Sequence, residues 1–389
     1  MKRVGLFVLP ILLALGLAGA PAAVAADAPP IKIGMSLAIT GYLADLDQAV
    51  RDGAALAADK INREGGVLGR RLELVIEDMR SEPQQAVTAI TKLIVSDKAV
   101  VLVNGFSSAG NAAGAPVAAR HKVPMIVSSI LPPAEQAESI KWTLSTLPLA
   151  GFEVGTRLEY LQKQTKTKKV GVIHDPTPYA NVQKNVAMAQ AEKFGLGLAG
   201  IEQYKVDDTD LKAQITKLRA AGAEAFVKFG VGPTTIVAAK NLRELGPTLP
   251  LLSSMEDMAI IKPAAEAQGD RFYFVASPPQ VPEALAAGDP VRQALGPFVQ
   301  AWSAKYAQRD PAYAGRGWDA VHLVADAIKR AGGTDGEKLR DALENTARLI
   351  GTSAVYGFSA KSHVGVQSNP YKLGQVIGGK VRLAFDPAR

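Results

Sequence analysis

Residues 100–127 read VVLVNGFSSAGNAAGAPVAARHKVPMIV. Val100 to Val103 places four apolar residues in a row, the mark of a strand buried on both faces. Gly105-Phe106-Ser107-Ser108-Ala109-Gly110 then turns into a helix, and Pro124 to Val127 begins the next strand. Strand, helix and strand in succession make a βαβ unit, which builds parallel sheet with helices on its faces. The same grammar holds on either side. Toward the N-terminus, Ile31 to Met35 is extended, and a helical pattern from Leu46 to Asn62 stops at Gly65-Gly66. Leu72 to Ile76 is a strand, and Pro83 opens a helix reaching Val95. Toward the C-terminus the alternation restarts, with strands at Val170–Ile173, Ile201–Val206, Ala225–Phe229, Leu251-Leu252 and Phe272–Ala276. Helices at Val182–Phe194, Leu211–Ala220 and Thr234–Leu245 separate them.

Two successive runs predict two doubly wound α/β lobes. Three helices follow, around Pro297–Gln308, Trp318–Arg330 and Glu337–Asn345, and then short strands to the end. No fixed-period repeat, low-complexity tract or long Pro/Ser linker interrupts the chain, so the lobes are expected to meet at a hinge. Length agrees. Of 389 residues, those left without the leader exceed the ~250–300 at which one core usually splits into two domains.

The leader is residues 1–25. Lys2 and Arg3 are a short positive head, Val4 to Leu17 an almost unbroken apolar run, and Ala23-Val24-Ala25 a small-residue exit. That is the pattern of a secretory signal peptide, cleaved near Ala25. The run is shorter than the ~20 residues a membrane span needs, and Pro10 interrupts it. The chain holds no cysteine, so an exported form has neither a disulfide framework nor the residue a lipid anchor needs. A free periplasmic protein is expected. The formal net charge is +7, and Lys2 and Arg3 contribute two of those charges. Lys163 to Lys169 is the one dense basic cluster, and it precedes an apolar strand as a solvated loop would. Without a basic face interleaved with aromatics, nucleic acid is not an expected partner.

These segments resemble the branched-chain amino acid (Leu/Ile/Val-type) periplasmic binding proteins of ABC importers, over nearly all of the chain after the leader. The likeness rests on Ile31-Lys32-Ile33-Gly34, Thr40-Gly41, Asp52-Gly53-Ala54, Lys60-Ile61-Asn62 and Gly65-Gly66-Val67-Leu68-Gly69, in that order. Glu77-Asp78, Pro83-Gln84-Gln85-Ala86-Val87, Val172-Ile173-His174-Asp175 and Tyr179 continue it. The resemblance implies a type I periplasmic binding fold: two parallel-sheet lobes joined by a multi-strand hinge, with ligand captured between them. On that pattern residues 31–146 plus 280–372 form lobe I, and residues 147–279 plus 373–389 form lobe II. It also implies an ABC permease as partner, a monomer, no cofactor and no catalysis.

The resemblance suggests site residues. Phe106, Ser107 and Ser108 lie in the loop that holds a ligand carboxylate in the family. The physics is sensible, since small residues let an anion approach N–H groups at a helix N-terminus while a hydroxyl donates another bond. Ser107 or Ser108 could equally cap that helix. Ser129, Ile130 and Leu131 fall in a loop that usually offers a carbonyl and a Thr hydroxyl; here the hydroxyl position is Ile130 or Leu131, which removes a polar contact. Tyr179 matches a ligand-touching tyrosine, or else packs at a helix start. Glu256 matches the acid that meets the ligand ammonium, or else is an acid at a helix N-terminus. Leu46 and Val231 (or Gly232) occupy positions where aromatics are common. Tyr356-Gly357-Phe358-Ser359 with His363 resembles a subgroup associated with varied carboxylates, where His363 either reaches ligand or fixes a turn.

Other chemistry lacks its signature. Gly195-x-Gly197-x-x-Gly200 spells the dinucleotide fingerprint but follows a helix and precedes a strand, the reverse of the required context. It is read as a helix stop. His121, His174, His322 and His363 are far apart and no cysteine accompanies them, so no metal site is expected. There is no Walker P-loop and no Gly-x-Ser-x-Gly elbow.

Overall fold

The computed structural model describes residues 28–246, 249–307 and 309–388; the leader and its cleavage site lie outside them. A first sheet holds β1 (Ile31–Leu37), β2 (Leu72–Asp78), β3 (Val101–Asn104), β4 (Met125–Val127) and β5 (Thr143–Ser145) in the order β2-β1-β3-β4-β5. Every pairing in it is parallel. The crossovers are α1 (Ala44–Arg63), α2 (Pro83–Val95), α3 (Ser108–Arg120) and the short α4 (Ala137–Ile140). After α5 (Ala150–Gln164) a second sheet begins with β6 (Lys169–His174), β7 (Gly197–Gln203), β8 (Ala225–Phe229), β9 (Leu251–Ser253) and β10 (Phe272–Ala276). These pair in parallel, with α6 (Pro178–Gln190), α7 (Lys212–Ala220), α8 (Thr234–Leu245) and α9 (Met258–Gln268) between them.

The chain then returns to the first lobe. Helices α10 (Pro290–Tyr306), α11 (Ala314–Ala331) and α12 (Gly336–Glu344) follow, and α11 packs along α1. The approach is so close that a Cβ on Gly53 would lie 1.9 Å from the Ala314 carbonyl oxygen, and one on Gly317 1.9 Å from that of Val50. A two-residue pair, β11 (Leu349–Ile350) with β12 (Val355–Tyr356), comes next. Last, β13 (Lys372–Ile377) joins β10 antiparallel and β14 (Lys380–Phe385) joins β13 antiparallel, giving the order β14-β13-β10-β9-β8-β6-β7. Three connections therefore link the lobes: before α5, after β10 and before β13. The fold is α/β with two parallel-sheet lobes, as the alternation implied.

Some elements differ from the sequence reading. Strand β7 begins at Gly197 rather than Ile201, because Gly200 is a strand residue; a Cβ there would meet Leu218 at 2.9 Å, so close helix packing asks for glycine. Gly195 ends the preceding helical turn at φ 66°, the left-handed stop expected of it. Helices α4, α5 and α9 and strand β5 were not anticipated. Strand β5 spans three residues, too few to show alternation.

Candidate functional site

The carboxyl ends of the strands from both sheets converge on one cavity, with about 580 Å³ of empty space including its mouth. Open α/β sheets bind ligands at this edge, because helix N-termini and loops gather there.

On the first lobe, Asp47 organises the wall. Its Oδ2 accepts Ala38 N–H at 2.8 Å and its Oδ1 accepts Phe106 N–H at 2.8 Å, so one side chain ties the β1 and β3 exits together. Burial pushes its pKa up to about 6, against the pull of those two N–H groups. Ser107 is the N-cap of α3, its Oγ accepting Gly110 N–H at 3.0 Å. Ser108 follows at the first helical position. The residue lines the cavity, and its Oγ is buried with no hydrogen-bond partner among the described residues. The adjoining first-turn N–H groups have no helical acceptor either. Ser129 lines the cavity with its Oγ held by Asn111 Nδ2 at 2.9 Å, and its carbonyl accepts Ser145 Oγ at 2.5 Å. Leu46, Leu43, Leu147 and Phe106 supply apolar wall.

On the second lobe, β6 delivers Asp175, whose Oδ1 accepts Thr177 N–H at 2.9 Å. Thr177 in turn caps α6 through Ala180 N–H at 3.2 Å, and Pro178 opens that helix. Tyr179 lines the cavity while its hydroxyl donates to Glu153 Oε2 at 2.7 Å. Glu153 is itself held by Gln183 Nε2 at 2.8 Å and pairs with the fully buried Arg157 at 3.4 Å. Gly230 precedes Val231 at φ 103°, and a Cβ on it would lie 1.9 Å from Asp175 Oδ2; strand β8 passes Asp175 only because this residue is glycine. Tyr313, just before α11, bridges the lobes. Its hydroxyl donates to the Met255 carbonyl at 2.8 Å, and its ring meets Phe106 edge-on at 4.8 Å. Tyr42 completes the wall; burial, then the fields of Asp175 and Asp47, push its hydroxyl up to about 12.

Of the residues singled out in the sequence, Leu46, Phe106, Ser108, Ser129, Tyr179 and Val231 meet at this cavity. The others stand back. Ser107 is occupied as a helix cap. Ile130 and Leu131 are half-buried outside the wall. Glu256 lies behind it with no exposure, Oε2 accepting Gly232 N–H at 3.0 Å and Oε1 accepting the Thr235 hydroxyl at 2.5 Å. Burial pushes Glu256 up to about 7, and the nearby Lys228 ammonium is the strongest influence pulling it down. His363 is also elsewhere: Nδ1 contacts the Ile140 and Thr143 carbonyls at 2.7 and 3.0 Å, and Nε2 contacts Glu344 at 2.9 Å, so it fixes a turn. Sequence reasoning missed Tyr42, Asp175, Met255 and Tyr313 as wall residues. Asp175 carried a signal, sitting four residues before Tyr179 at a strand exit; Tyr313 carried none. Among the described residues no His, Cys, Asp or Glu cluster could hold a metal, and no helix is long and apolar enough to cross a membrane.

Two α/β lobes thus meet over one walled cavity. The periplasmic binding protein family model matches residues 30–380, and the chain belongs to that family. It is 28% identical over 322 residues to the leucine-, isoleucine-, valine-, threonine- and alanine-binding protein of Pseudomonas aeruginosa, covering 81% of this chain and 82% of that one. Among solved structures, an extracellular ligand-binding receptor from Rhodopseudomonas palustris matches with a TM-score of 0.83 at 22% identity, over 91% of this chain and 99% of that one. The branched-chain amino acid substrate-binding protein LivJ of Streptococcus pneumoniae, in complex with isoleucine, matches at 0.75 and 23% over 92% and 100%. By family this is a periplasmic binding protein and not an enzyme.

Proposed function

We propose that the protein captures an amino acid or related small carboxylate in the interlobe cavity and delivers it to an ABC permease. The observation that carries this reading is Ser108: a buried hydroxyl without a partner among the described residues, at the first turn of α3, on a residue of the cavity wall. An unpaired buried hydroxyl costs roughly 1–3 kcal/mol, which a ligand acceptor would recover. With the free N–H groups beside it, Ser108 makes a receptor for a carboxylate. Phe106, Leu46 and Val231 then hold the apolar part of the ligand, and Ser129 and Tyr179 border it.

In this reading lobe I (residues 31–146 plus 280–372) and lobe II (147–279 plus 373–389) swing about their three connections. Ligand binds the open first lobe, and contacts from the second favour the closed form. The protein acts as a monomer in the periplasm after loss of residues 1–25. Titration calorimetry tests the site: Ser108→Ala is expected to weaken carboxylate binding about tenfold, the worth of one charge-assisted hydrogen bond. Unchanged affinity would remove the assignment.

A further inference from the structure

The first turn of α11 reaches past its own lobe. The helix packs along α1, yet Tyr313, at its N-cap, sends its hydroxyl to the Met255 carbonyl, 2.8 Å away and just past β9 of the second sheet. Both residues are almost fully buried. Burial also raises the Tyr313 pKa well above its usual value, so the hydroxyl keeps its proton and remains a donor.

Both ends of this bond are held from behind. On the first-lobe side the Tyr313 ring stands edge-on to Phe106 at 4.8 Å. One turn further along α11, the fully buried Arg316 donates through Nη1 to the Thr146 carbonyl at 2.7 Å, where the chain leaves β5 for the second lobe. Gly315 between them packs so closely that a Cβ on it would lie 2.7 Å from Thr352 Oγ1. On the second-lobe side Met255 N–H donates to Glu153 Oε1 at 3.3 Å. Glu153 Oε2 in turn accepts the Tyr179 hydroxyl at 2.7 Å and Gln183 Nε2 at 2.8 Å. The acceptor therefore belongs to the buried network that holds the second-lobe wall of the cavity. Neither partner can follow the other through a rotation of the lobes, and an O–H···O bond is lost within about 1 Å of stretch.

This bond differs in kind from the ligand contacts proposed for Ser108. Its donor and acceptor both belong to the protein, so it stabilises the approach of the lobes whether the cavity is filled or empty. We infer that Tyr313 is a ligand-independent latch: its hydroxyl draws the free protein toward the shut form and so sets how much of it is ready to hold a ligand before one arrives. Tyr313 is thus a positioning residue, acting through Met255 on the angle between the lobes. The inference rests on the hinge reading above and is independent of which ligand the cavity takes.

Because the chain has no cysteine, the lobes can be labelled one site at a time. Gln85→Cys on α2 and Ala213→Cys on α7, both exposed, carry one spin label each. Pulsed dipolar electron paramagnetic resonance on purified protein dialysed free of ligand reads the distances between them. Two populations are expected in wild type. In Tyr313→Phe, which keeps the ring, the shorter one is expected to fall roughly two- to tenfold relative to the longer, the range for one neutral hydrogen bond. Tyr204→Phe is the control for loss of a buried hydroxyl as such, since that hydroxyl donates to the Phe229 carbonyl at 2.9 Å within the second lobe. It is expected to lower the melting temperature and leave the distances alone. Two populations in equal shares in wild type and Tyr313→Phe overturn the latch and spare the hinge, as does a wild type showing only the longer distance. A matching shift in Tyr204→Phe also overturns it, by assigning the effect to a softened lobe. A single short distance in both wild type and Tyr313→Phe overturns the hinge reading and the latch with it.

Discussion

Ser107 and Ser108 are adjacent, identical in chemistry, and have separate tasks because of where α3 begins. Ser107 precedes the helix and its hydroxyl accepts Gly110 N–H; Ser108 is inside it and its buried hydroxyl has no partner among the described residues. Ser107→Ala is accordingly expected to lower stability by about 1 kcal/mol, read as a lower melting temperature in ligand-free protein. Ser108→Ala is expected to leave that melting temperature nearly unchanged and reduce binding; the reverse pattern would exchange the two roles. The sequence made the pair visible as a Gly-flanked serine turn but could not divide the work, since a shift of one residue in the helix start reverses it. Glu256 is the opposite case. Its position at the β9 exit was legible, while the lysine on the neighbouring strand whose charge acts on it was not, because Lys228 is brought near by sheet pairing. Its titration is testable. Glu256 is pushed from 4.5 to about 7, so its folded pKa lies above its unfolded one. Between those values the folded chain keeps a proton that the unfolded chain has lost, and stability falls as pH rises. Glu256→Gln removes this contribution. The melting temperature of Glu256→Gln minus that of wild type, measured without ligand, is expected to grow more positive from pH 4.5 to 7.5; a flat difference would contradict the burial argument.

At the scale of elements, the helices and parallel strands were legible wherever apolar periodicity ran long enough, as in α1, α2, β3 and β8. It failed where strands were short or glycine-bearing. Strand β5 has three residues, and β7 contains Gly197 and Gly200, whose low strand preference disguised a segment shaped by helix packing. The α1–α11 contact lay beyond reach as well, since it joins residues about 260 positions apart by numbering. Its glycines can be read only once the backbones are seen touching. Gly317→Ala is expected to destabilise by ~1–3 kcal/mol or more, because the added methyl meets the Val50 carbonyl. Gly296→Ala, in α10 with open space around it, is expected to gain up to ~1 kcal/mol from helix preference. Chemical denaturation of the two variants compares them directly, and equal effects would show that the helix crossing is looser than described.

For the whole molecule, the two-lobed plan followed from two βαβ runs in succession and from a length too great for one core. What the runs did not reveal is the path of the C-terminal segment, which leaves the first lobe and adds a β13–β14 hairpin to the second sheet, β13 antiparallel to β10. Those strands are separated from their sheet partner by about a hundred residues, and local pattern says nothing about which sheet they join. The connection they create, from β12 to β13, is the third link between the lobes. The central claim is that this cleft captures a small carboxylate through the α3 N-terminus. A thermal-shift screen of the purified protein against amino acids, amides and aromatic acids, repeated with Ser108→Ala, tests it most directly. At ligand a hundredfold above Kd, binding to the folded state alone stabilises by ~2.7 kcal/mol. The expected result is a dose-dependent rise in melting temperature with at least one carboxylate, displaced to higher ligand concentration in Ser108→Ala. A protein that shifts with no carboxylate, or a Ser108→Ala variant with the same dose dependence as wild type, would contradict it.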